Sequence, residues 1–224
     1  LTWNLAALRG LQQLMLDMID QPALVHGLMT ILRDGAMSVL DSLVARNLLS
    51  PNHEGDYVGS GGFGWSQELP QVDSNSQIRP CDLWGFAESQ ETVGISPAMF
   101  EEFVFPYQLP LLKRFGLNCY GCCEPLDKRW HIVQRFPHLR RVSVSPWANR
   151  PFMAEMLGDR YIYSMKPTPA DLALPTFDEE HIRLTLRKDL EATRDCHVEV
   201  IMKDNHTIAN DPSRVVRWVQ IARA

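Results

Sequence analysis

The stretch Gly116-Leu-Asn-Cys-Tyr-Gly-Cys-Cys-Glu-Pro-Leu-Asp127 has the features of a strand that ends in a functional loop. It contains three of the five cysteines of the chain, at positions 119, 122 and 123, followed at once by Glu124. Its first residues resemble a buried strand, Pro125 ends that strand, and residues 126–136 have helical character. In parallel α/β sheets, functional groups gather where a strand passes into such a loop. We therefore expect a site at this strand end.

The alternation of side chains along a strand separates two kinds of cysteine in this stretch. It places Cys119 with Leu117 on one side, and Cys122 with Tyr120 and Glu124 on the other. We predict that Cys122 is functional and that Cys119 contributes only to packing. The alternative is that these cysteines all pack as small hydrophobic residues, as free cysteines commonly do.

The composition is typical of a globular protein with one sizeable core. The 224 residues carry a net charge of -5, and 45% of them are hydrophobic. The lack of a basic cluster argues against nucleic acid as a partner. Five cysteines, two of them adjacent, favour a reducing cytoplasmic compartment over a disulfide framework. The sequence pattern also predicts no membrane span and no signal peptide.

Strand-like and helical segments alternate along most of the chain, as in a parallel sheet with right-handed crossovers. We predict an α/β fold of the (β/α)8 TIM-barrel type that lacks its N-terminal strands. Residues 1–224 would then be one domain, the C-terminal three-quarters of a longer protein, since a full barrel takes about 250 residues. Six strands are predicted, near Tyr57, Leu83, Asn118, Val142, Ile162 and Val200.

The glycine-rich segment Gly59-Ser-Gly-Gly-Phe-Gly64 has the letters of a dinucleotide-binding fingerprint. That motif has to open a helix, whereas the residues that follow it, up to Pro80, are polar and typical of a loop. We predict that residues 59–80 form a mobile loop that closes over the mouth of the barrel.

Polar side chains gather at the predicted carboxyl ends of the strands. The candidates for catalysis are Cys122, Glu124 and His206. The carboxyl ends of the strands in a barrel surround one mouth, so we predict that His206 lies close to Cys122. The alternative is that His206 caps the loop before the last helix. The candidates for substrate binding are Glu88, Gln90, Tyr120, Ser145, Lys166, Lys203 and Asp204.

Several motifs resemble those of uroporphyrinogen decarboxylase and of the cobalamin- and folate-linked methyltransferases related to it. Ile95-Ser-Pro-Ala-Met-Phe-Glu-Glu-Phe-Val-Phe-Pro-Tyr107 resembles a helix-opening segment of that superfamily. Tyr120-Gly-Cys-Cys123 stands in place of a strand ending His-x-Cys-Gly, and Ser143-Val-Ser145 in place of a Ser-Val-Asp strand. Met165-Lys-Pro-Thr-Pro169 loosely matches a turn motif, and Asn205-His-Thr-Ile208 lies over the last motif. The resemblance extends roughly from residue 5 to the C-terminus and implies the barrel fold.

The resemblance also implies a chemistry. In the methyltransferases of this superfamily, a His-x-Cys pair and a distant cysteine bind zinc, which activates a thiol. This implies Cys122 and His206 as zinc ligands, with Glu124, Cys123 or Tyr120 as the third. The activity implied is methyl transfer with a corrinoid, tetrahydrofolate or a thiol as methyl carrier. A corrinoid protein is then a candidate partner.

Two other functions stay open from the sequence. A uroporphyrinogen-type decarboxylase needs cations to hold the acidic side chains of its substrate, and Lys166, Lys203 and Arg150 lie near strand ends. A barrel without catalytic activity, which binds a ligand or a partner, predicts scattered polar residues instead. The convergence of polar residues favours an enzyme, with methyl transfer ahead of decarboxylation.

Overall fold

The computed structural model describes residues 1–69 and 77–224. The helices are α1 (Thr2–Arg9), α2 (Leu11–Asp20), α3 (Pro22–Ala45), α4 (Pro97–Phe103), α5 (Phe105–Leu112), α6 (Trp130–Val133), α7 (Arg150–Leu157), α8 (Ala170–Ala173), α9 (Glu179–Ala192) and α10 (Ser213–Arg223). The strands are β1 (Glu54–Gly59), β2 (Gly62–Trp65), β3 (Trp84–Ala87), β4 (Leu117–Tyr120), β5 (Leu139–Val144), β6 (Ile162–Met165) and β7 (His197–Val200).

Strands β3 to β7 form one sheet in which every neighbouring pair is parallel and the strand order follows the chain order. Right-handed crossovers between strands in sequential order place the connecting helices on a single face of the sheet. The main hydrophobic core lies on that face, where the sheet contributes Tyr120, Val142, Tyr163 and Met165, all fully buried. The helices that follow the strands therefore leave the opposite face to other elements.

The opposite face of the sheet is polar. Arg141 pairs with Glu199 at 2.9 Å, Ser164 donates a hydrogen bond to Glu199, and Lys166 donates one to Ser164. The β1–β2 hairpin lies over this face, and Arg141 donates to the backbone carbonyl of Phe63 in β2. Because buried charges are costly unless they are paired, this network and the hairpin that covers it depend on each other.

The hairpin fits against the sheet because glycines lie at its turn and at its points of close approach. Its two-residue turn, Ser60–Gly61, has positive φ at both positions (51° and 79°), as a type I′ turn requires. At Gly59, a Cβ would lie 2.4 Å from the ring of Phe86 in β3. The glycines that resembled a nucleotide-binding motif thus allow a tight turn and a close approach to the sheet.

The predicted fold of the (β/α)8 TIM-barrel type is wrong. The described residues form an open five-stranded parallel sheet, with edges at β3 and β7, and a separate two-stranded antiparallel sheet. Five of the six predicted strands lie in the parallel sheet, whereas the one near Tyr57 belongs to the hairpin. The smallest barrels whose interior holds side chains close with about eight strands. Five strands curve too little to meet, and the hairpin covers their inner face instead.

The predicted loop over residues 59–80 is in part regular structure. Residues 62–65 pair with β1, and Ser60 at the hairpin turn contacts the Ser143 hydroxyl at 3.2 Å. This part of the segment covers the polar face of the sheet. Residues 70–76 lie outside the described residues, and the closing motion stays a prediction.

Helix α3 bears on the prediction that the chain has no membrane span. Its 24 residues have a mean hydropathy of 1.2 in their most apolar window, so it is long and apolar enough to cross a membrane by length and composition alone. Val25 and Met29 on this helix are buried in the core. One such helix does not establish a membrane span, and the cytoplasmic location stays a prediction.

Asn118 in β4 provides a test of the fold. Its side-chain amide donates to the carbonyls of Leu112 (2.9 Å) and Pro137 (2.7 Å), and it is fully buried. Asn118→Ala leaves both carbonyls without this donor and should lower the free energy of unfolding by about 1–3 kcal/mol. Urea denaturation measures the change. The exposed Asn4→Ala is the matched control, and equal midpoints for the two variants would contradict the assignment.

Candidate active site

The chain turns sharply directly after β4. Gly121 has a φ of 93°, and a Cβ there would lie 2.8 Å from Cδ1 of Leu126. Only glycine adopts this conformation without strain. The alternation of the strand therefore ends at Tyr120, and it does not set the orientation of Cys122 or Glu124.

The two sides of β4 have the opposite character from the one predicted: Tyr120 faces the apolar core, and Cys119 faces the polar side of the sheet. Tyr120, a predicted substrate-binding residue, lies on the helix-covered face, stacks on Phe136 and donates its hydroxyl to Gln108 at 2.8 Å. Cys119 is fully buried beside its register partner Arg141, on the polar face. Burial raises the pKa of the Cys119 thiol to about 11, so this cysteine stays protonated at neutral pH.

Glu124 fixes the backbone of the turn. It is fully buried, and its two carboxylate oxygens accept the backbone N–H groups of Ser89 and Cys122, each at 2.8 Å. The Ser89 hydroxyl lies 3.3 Å from the same carboxylate. Burial raises the pKa of Glu124. The geometry gives Glu124 the role of holding Cys122 in place, because its oxygens point to backbone donors.

Lys203 brings a positive charge to the two adjacent cysteines. It follows β7, and its Nζ lies 2.8 Å from Sγ of Cys122 and 3.2 Å from Sγ of Cys123. The carboxylate of Asp204 is 3.4 Å from the same nitrogen and accepts a hydrogen bond from the Cys123 thiol at 2.9 Å. At the hairpin turn, the Ser60 hydroxyl is 3.5 Å from Nζ. These groups form a compact cluster of alternating charge.

The cluster stabilises Cys122 as a thiolate. The Cys123 thiol and the Lys203 ammonium lower the pKa of Cys122 to about 6, although partial burial raises it. The contact with Cys122 raises the pKa of Cys123 well above its usual range. Burial lowers the pKa of Lys203, but its contacts with the two cysteines raise it by more. Cys122 is thus the ionised member of the pair and Lys203 its counterion.

The cluster opens into a pocket of about 200 Å³. Six polar residues line it; five of them are predicted site residues and the sixth, Cys123, is an alternative zinc ligand: Cys122, Cys123, Lys166, Lys203, Asp204 and His206. Trp147 and three prolines complete its wall. Cys122 and His206, which lie 84 positions apart in the chain, therefore share one pocket, as the prediction of their closeness requires.

Lys166 is the buried cation of this pocket. It lies at the end of β6, is 2% exposed and donates to the Ser164 hydroxyl. Burial lowers the pKa of Lys166 to about 8, while the nearby carboxylate of Glu199 raises it. Lys166 therefore holds a proton that it can release near neutral pH.

Besides Tyr120, three predicted substrate-binding residues lie outside this pocket. Glu88 lines a different cavity of about 450 Å³ beside the edge strand β3, where its carboxylate accepts the Gln90 N–H at 2.8 Å. The side chain of Gln90 donates to Glu91. Ser145 is fully buried, and its hydroxyl accepts the Trp147 N–H at 3.3 Å. These residues shape the loops around the site.

Zinc does not fit the donors as they are arranged. Among the described residues, no three His, Cys, Asp or Glu side chains converge on one point that could hold a metal ion. The Lys203 ammonium contacts the sulfurs of Cys122 and Cys123 and the carboxylate of Asp204, so a cationic group already neighbours these donors. An open zinc site needs about three protein ligands around the ion. The charge beside the thiolate is therefore supplied by lysine.

Sequence reasoning missed two hydroxyl groups in this region. Ser143 on β5 donates to the backbone carbonyl of Cys122 at 2.8 Å, and Ser60 contacts both Ser143 and Lys203. The alternation of Ser143 and Ser145 along β5 was a signal for the first of these residues. Ser60 was placed in a loop over the site, but nothing in the sequence paired it with Ser143.

The chain matches no protein-family model, and no curated protein is significantly similar to it in sequence. The family resemblance of its motifs therefore stays a prediction.

Glu88 provides a pH test of the region. Burial, above all, and the neighbouring carboxylates of Glu124 and Glu91 raise the pKa of Glu88 to about 7, from 4.5. A raised carboxyl pKa contributes stability that is complete below pH 4.5 and is lost as the pH rises through about 7. Glu88→Gln should remove this loss, so that the variant gains stability relative to the native chain between pH 5 and pH 8 on the order of 1 kcal/mol or more.

Urea denaturation at several pH values measures the effect of Glu88→Gln. The matched control is Glu155→Gln, an exposed carboxyl on α7, which should follow the native pH dependence. Parallel curves for the native chain and Glu88→Gln would contradict the raised pKa.

Proposed function

We propose that the protein is a methyltransferase in which the Cys122 thiolate accepts a methyl group from a methyl carrier. The observation that carries this proposal is the contact of 2.8 Å between Nζ of Lys203 and Sγ of Cys122. A thiolate, and not a thiol, is the nucleophile in cysteine chemistry. The lysine keeps that thiolate ionised at the wall of a pocket.

The proposed step is a displacement at the methyl carbon. A lone pair on Sγ of Cys122 forms the S–CH3 bond while the bond from the methyl group to its carrier breaks, and the carrier keeps the electron pair. The thiolate becomes a neutral thioether, so Lys203 loses its counterion. A second nucleophile, such as a reduced corrinoid or a thiolate, then attacks the methyl carbon and restores the Cys122 thiolate.

The neighbours of Cys122 suit this chemistry. Glu124 and Ser143 hold its backbone N–H and carbonyl, so the backbone that carries the sulfur is held in place. The Lys203 charge stabilises the ionised reactant without a metal. Cys123 keeps its proton and donates to Asp204, so only one of the two sulfurs is a strong nucleophile.

The size of the pocket favours a small reacting group. Its volume of about 200 Å³ lies below the usual range for pockets that enclose a drug-sized ligand, about 300–1,000 Å³. A methyl-bearing end fits, while the body of a corrinoid or a folate would stay outside, beside the exposed Trp147. A corrinoid presented by a partner protein is compatible with this arrangement.

The resemblance to the superfamily of uroporphyrinogen decarboxylase supports the same class of reaction. Cys122 stands at the cysteine of the His-x-Cys motif, which in the related methyltransferases binds zinc. Lys203 would here replace the metal as the charge that keeps a sulfur ionised. The thiolate so activated belongs to the protein and not to a substrate.

Decarboxylation is the second candidate, and the observation that favours it is the pair of lysines in one pocket. Lys166 and Lys203 both line the 200 Å³ pocket and could hold a carboxylate. Arg150, the third cation considered, pairs with Asp189 and donates to the carbonyl of Lys166, so it is engaged elsewhere. This activity would release CO2 from a small acid and would depend on Lys166 and not on Cys122.

Methyl uptake by Cys122 tests the first proposal. The chain is incubated separately with methylcobalamin and with 5-methyltetrahydrofolate, and peptide mass mapping locates any added CH2. We expect the modification on Cys122. Cys122→Ser should abolish it, and Lys203→Met should restrict it to alkaline solution, because a free cysteine ionises near pH 8.5. Cys196→Ser is the matched control and should keep uptake at Cys122. Uptake that is absent with both donors, or unaffected by Cys122→Ser, would overturn the proposal.

A further inference from the structure

Cys122 and Cys123 are adjacent in sequence, and their sulfurs face each other across 3.5 Å. Both side chains are half-buried at the pocket wall and are accessible to small molecules. They have different partners: Lys203 is nearest to Cys122, and Asp204 accepts the proton of Cys123. Methyl transfer uses only Cys122, so the arrangement of Cys123 calls for a second role.

We propose that Cys122 and Cys123 form a reversible dithiol–disulfide couple that exchanges with small disulfides such as oxidised glutathione. A reactive thiolate with a resolving cysteine next to it is the usual arrangement of a redox-active pair. This activity is separate from methyl transfer and does not rest on it.

Cys122 carries out the first step. Its thiolate, held 2.8 Å from the Lys203 ammonium, attacks one sulfur of the small disulfide. A bond forms from Cys122 to that sulfur, the disulfide bond breaks, and one glutathione thiolate leaves. The lysine charge loses its thiolate partner and is free to stabilise the departing thiolate.

Cys123 carries out the second step, with Asp204 as its base. The Cys123 S–H proton passes to the Asp204 carboxylate 2.9 Å away, and the new thiolate attacks Sγ of Cys122. The mixed disulfide breaks, and a second glutathione leaves. In sum, two protein thiols are oxidised to one disulfide, and one oxidised glutathione is reduced to two thiols.

The backbone makes this disulfide easy to reverse. Adjacent Cα atoms are about 3.8 Å apart across a trans peptide, shorter than the roughly 4.4–6.8 Å of ordinary disulfides. Ring closure therefore strains the bend at residues 122–124. Strained disulfides are more readily reduced, which is the property of regulatory ones.

The other cysteines are poor partners for this exchange. Cys119 is fully buried, and Cys196 lies against the carbonyl of Ala154. Cys81 is exposed beside Asp82, away from the pocket. The couple is thus confined to the pair at 122 and 123. Its formation removes the thiolate on which the proposed methyl uptake depends, so oxidation would also switch that activity off.

Intact-mass and peptide analysis after incubation with oxidised glutathione tests the couple, in a Cys81→Ser background that removes the exposed thiol. The parent chain should lose two hydrogens, retain no glutathione and yield a peptide with the 122–123 disulfide. Reduced glutathione should restore the dithiol. Cys123→Ser should stop at the first step and keep one glutathione on Cys122. Asp204→Asn should form that same adduct, and the adduct should persist at least several-fold longer than in the parent before the ring closes.

Cys196→Ser is the matched control and should close the disulfide as the parent does. The inference is overturned if the parent retains glutathione on Cys122 without closing the ring. It is also overturned if Cys122→Ser forms a disulfide at the same rate as the parent. No methyl donor is present in this experiment, so its result is independent of the result for methyl transfer.

Discussion

The contact between the Lys203 ammonium and the Cys122 sulfur depends on the shape of the whole sheet. Cys122 follows β4 and Lys203 follows β7, with two strands between them. Strands lie about 4.8 Å apart, so these two strand ends would be about 14 Å apart in a flat sheet. The sheet has to curve toward its polar face, and the segment after β7 has to cross that face. The distance of 2.8 Å is therefore a consequence of the fold and not of local sequence.

The polar face is maintained by the hairpin as much as by the sheet. A barrel would enclose such a face with further strands, but here β1 and β2 cover it from above. Arg141 binds a hairpin carbonyl and Ser60 reaches both Ser143 and Lys203, so the cover also touches the site. Burial under the hairpin keeps the charges close and poorly hydrated, which strengthens their interaction.

Sequence reasoning located the strands that build the site but not the hairpin that covers their polar face. Periodicity located the five parallel strands, and their shared carboxyl edge brought Cys122, Lys166, Lys203 and His206 together. The predicted barrel was wrong because the glycine-rich segment, with positive φ at Ser60 and Gly61, forms a separate hairpin instead of joining the parallel sheet. The sequence pattern alone did not indicate this hairpin. Tyr120 was predicted to share one side of the strand with Cys122. It does not, because Gly121 has a positive φ and ends the alternation before Cys122. Side-chain contacts between distant segments, such as Lys203 with Cys122, have no local signal.

The ionisation of Cys122 beside Lys203 is the central claim, and a titration of thiolate ultraviolet absorbance tests it most directly. The native chain should show one cysteine that ionises near pH 6, and Cys122→Ser should lack it. In Lys203→Met the same cysteine should ionise closer to pH ~8.5, because that is the pKa of a free thiol. A native chain with no thiolate below pH 8, or one that titrates like Lys203→Met, would contradict this account.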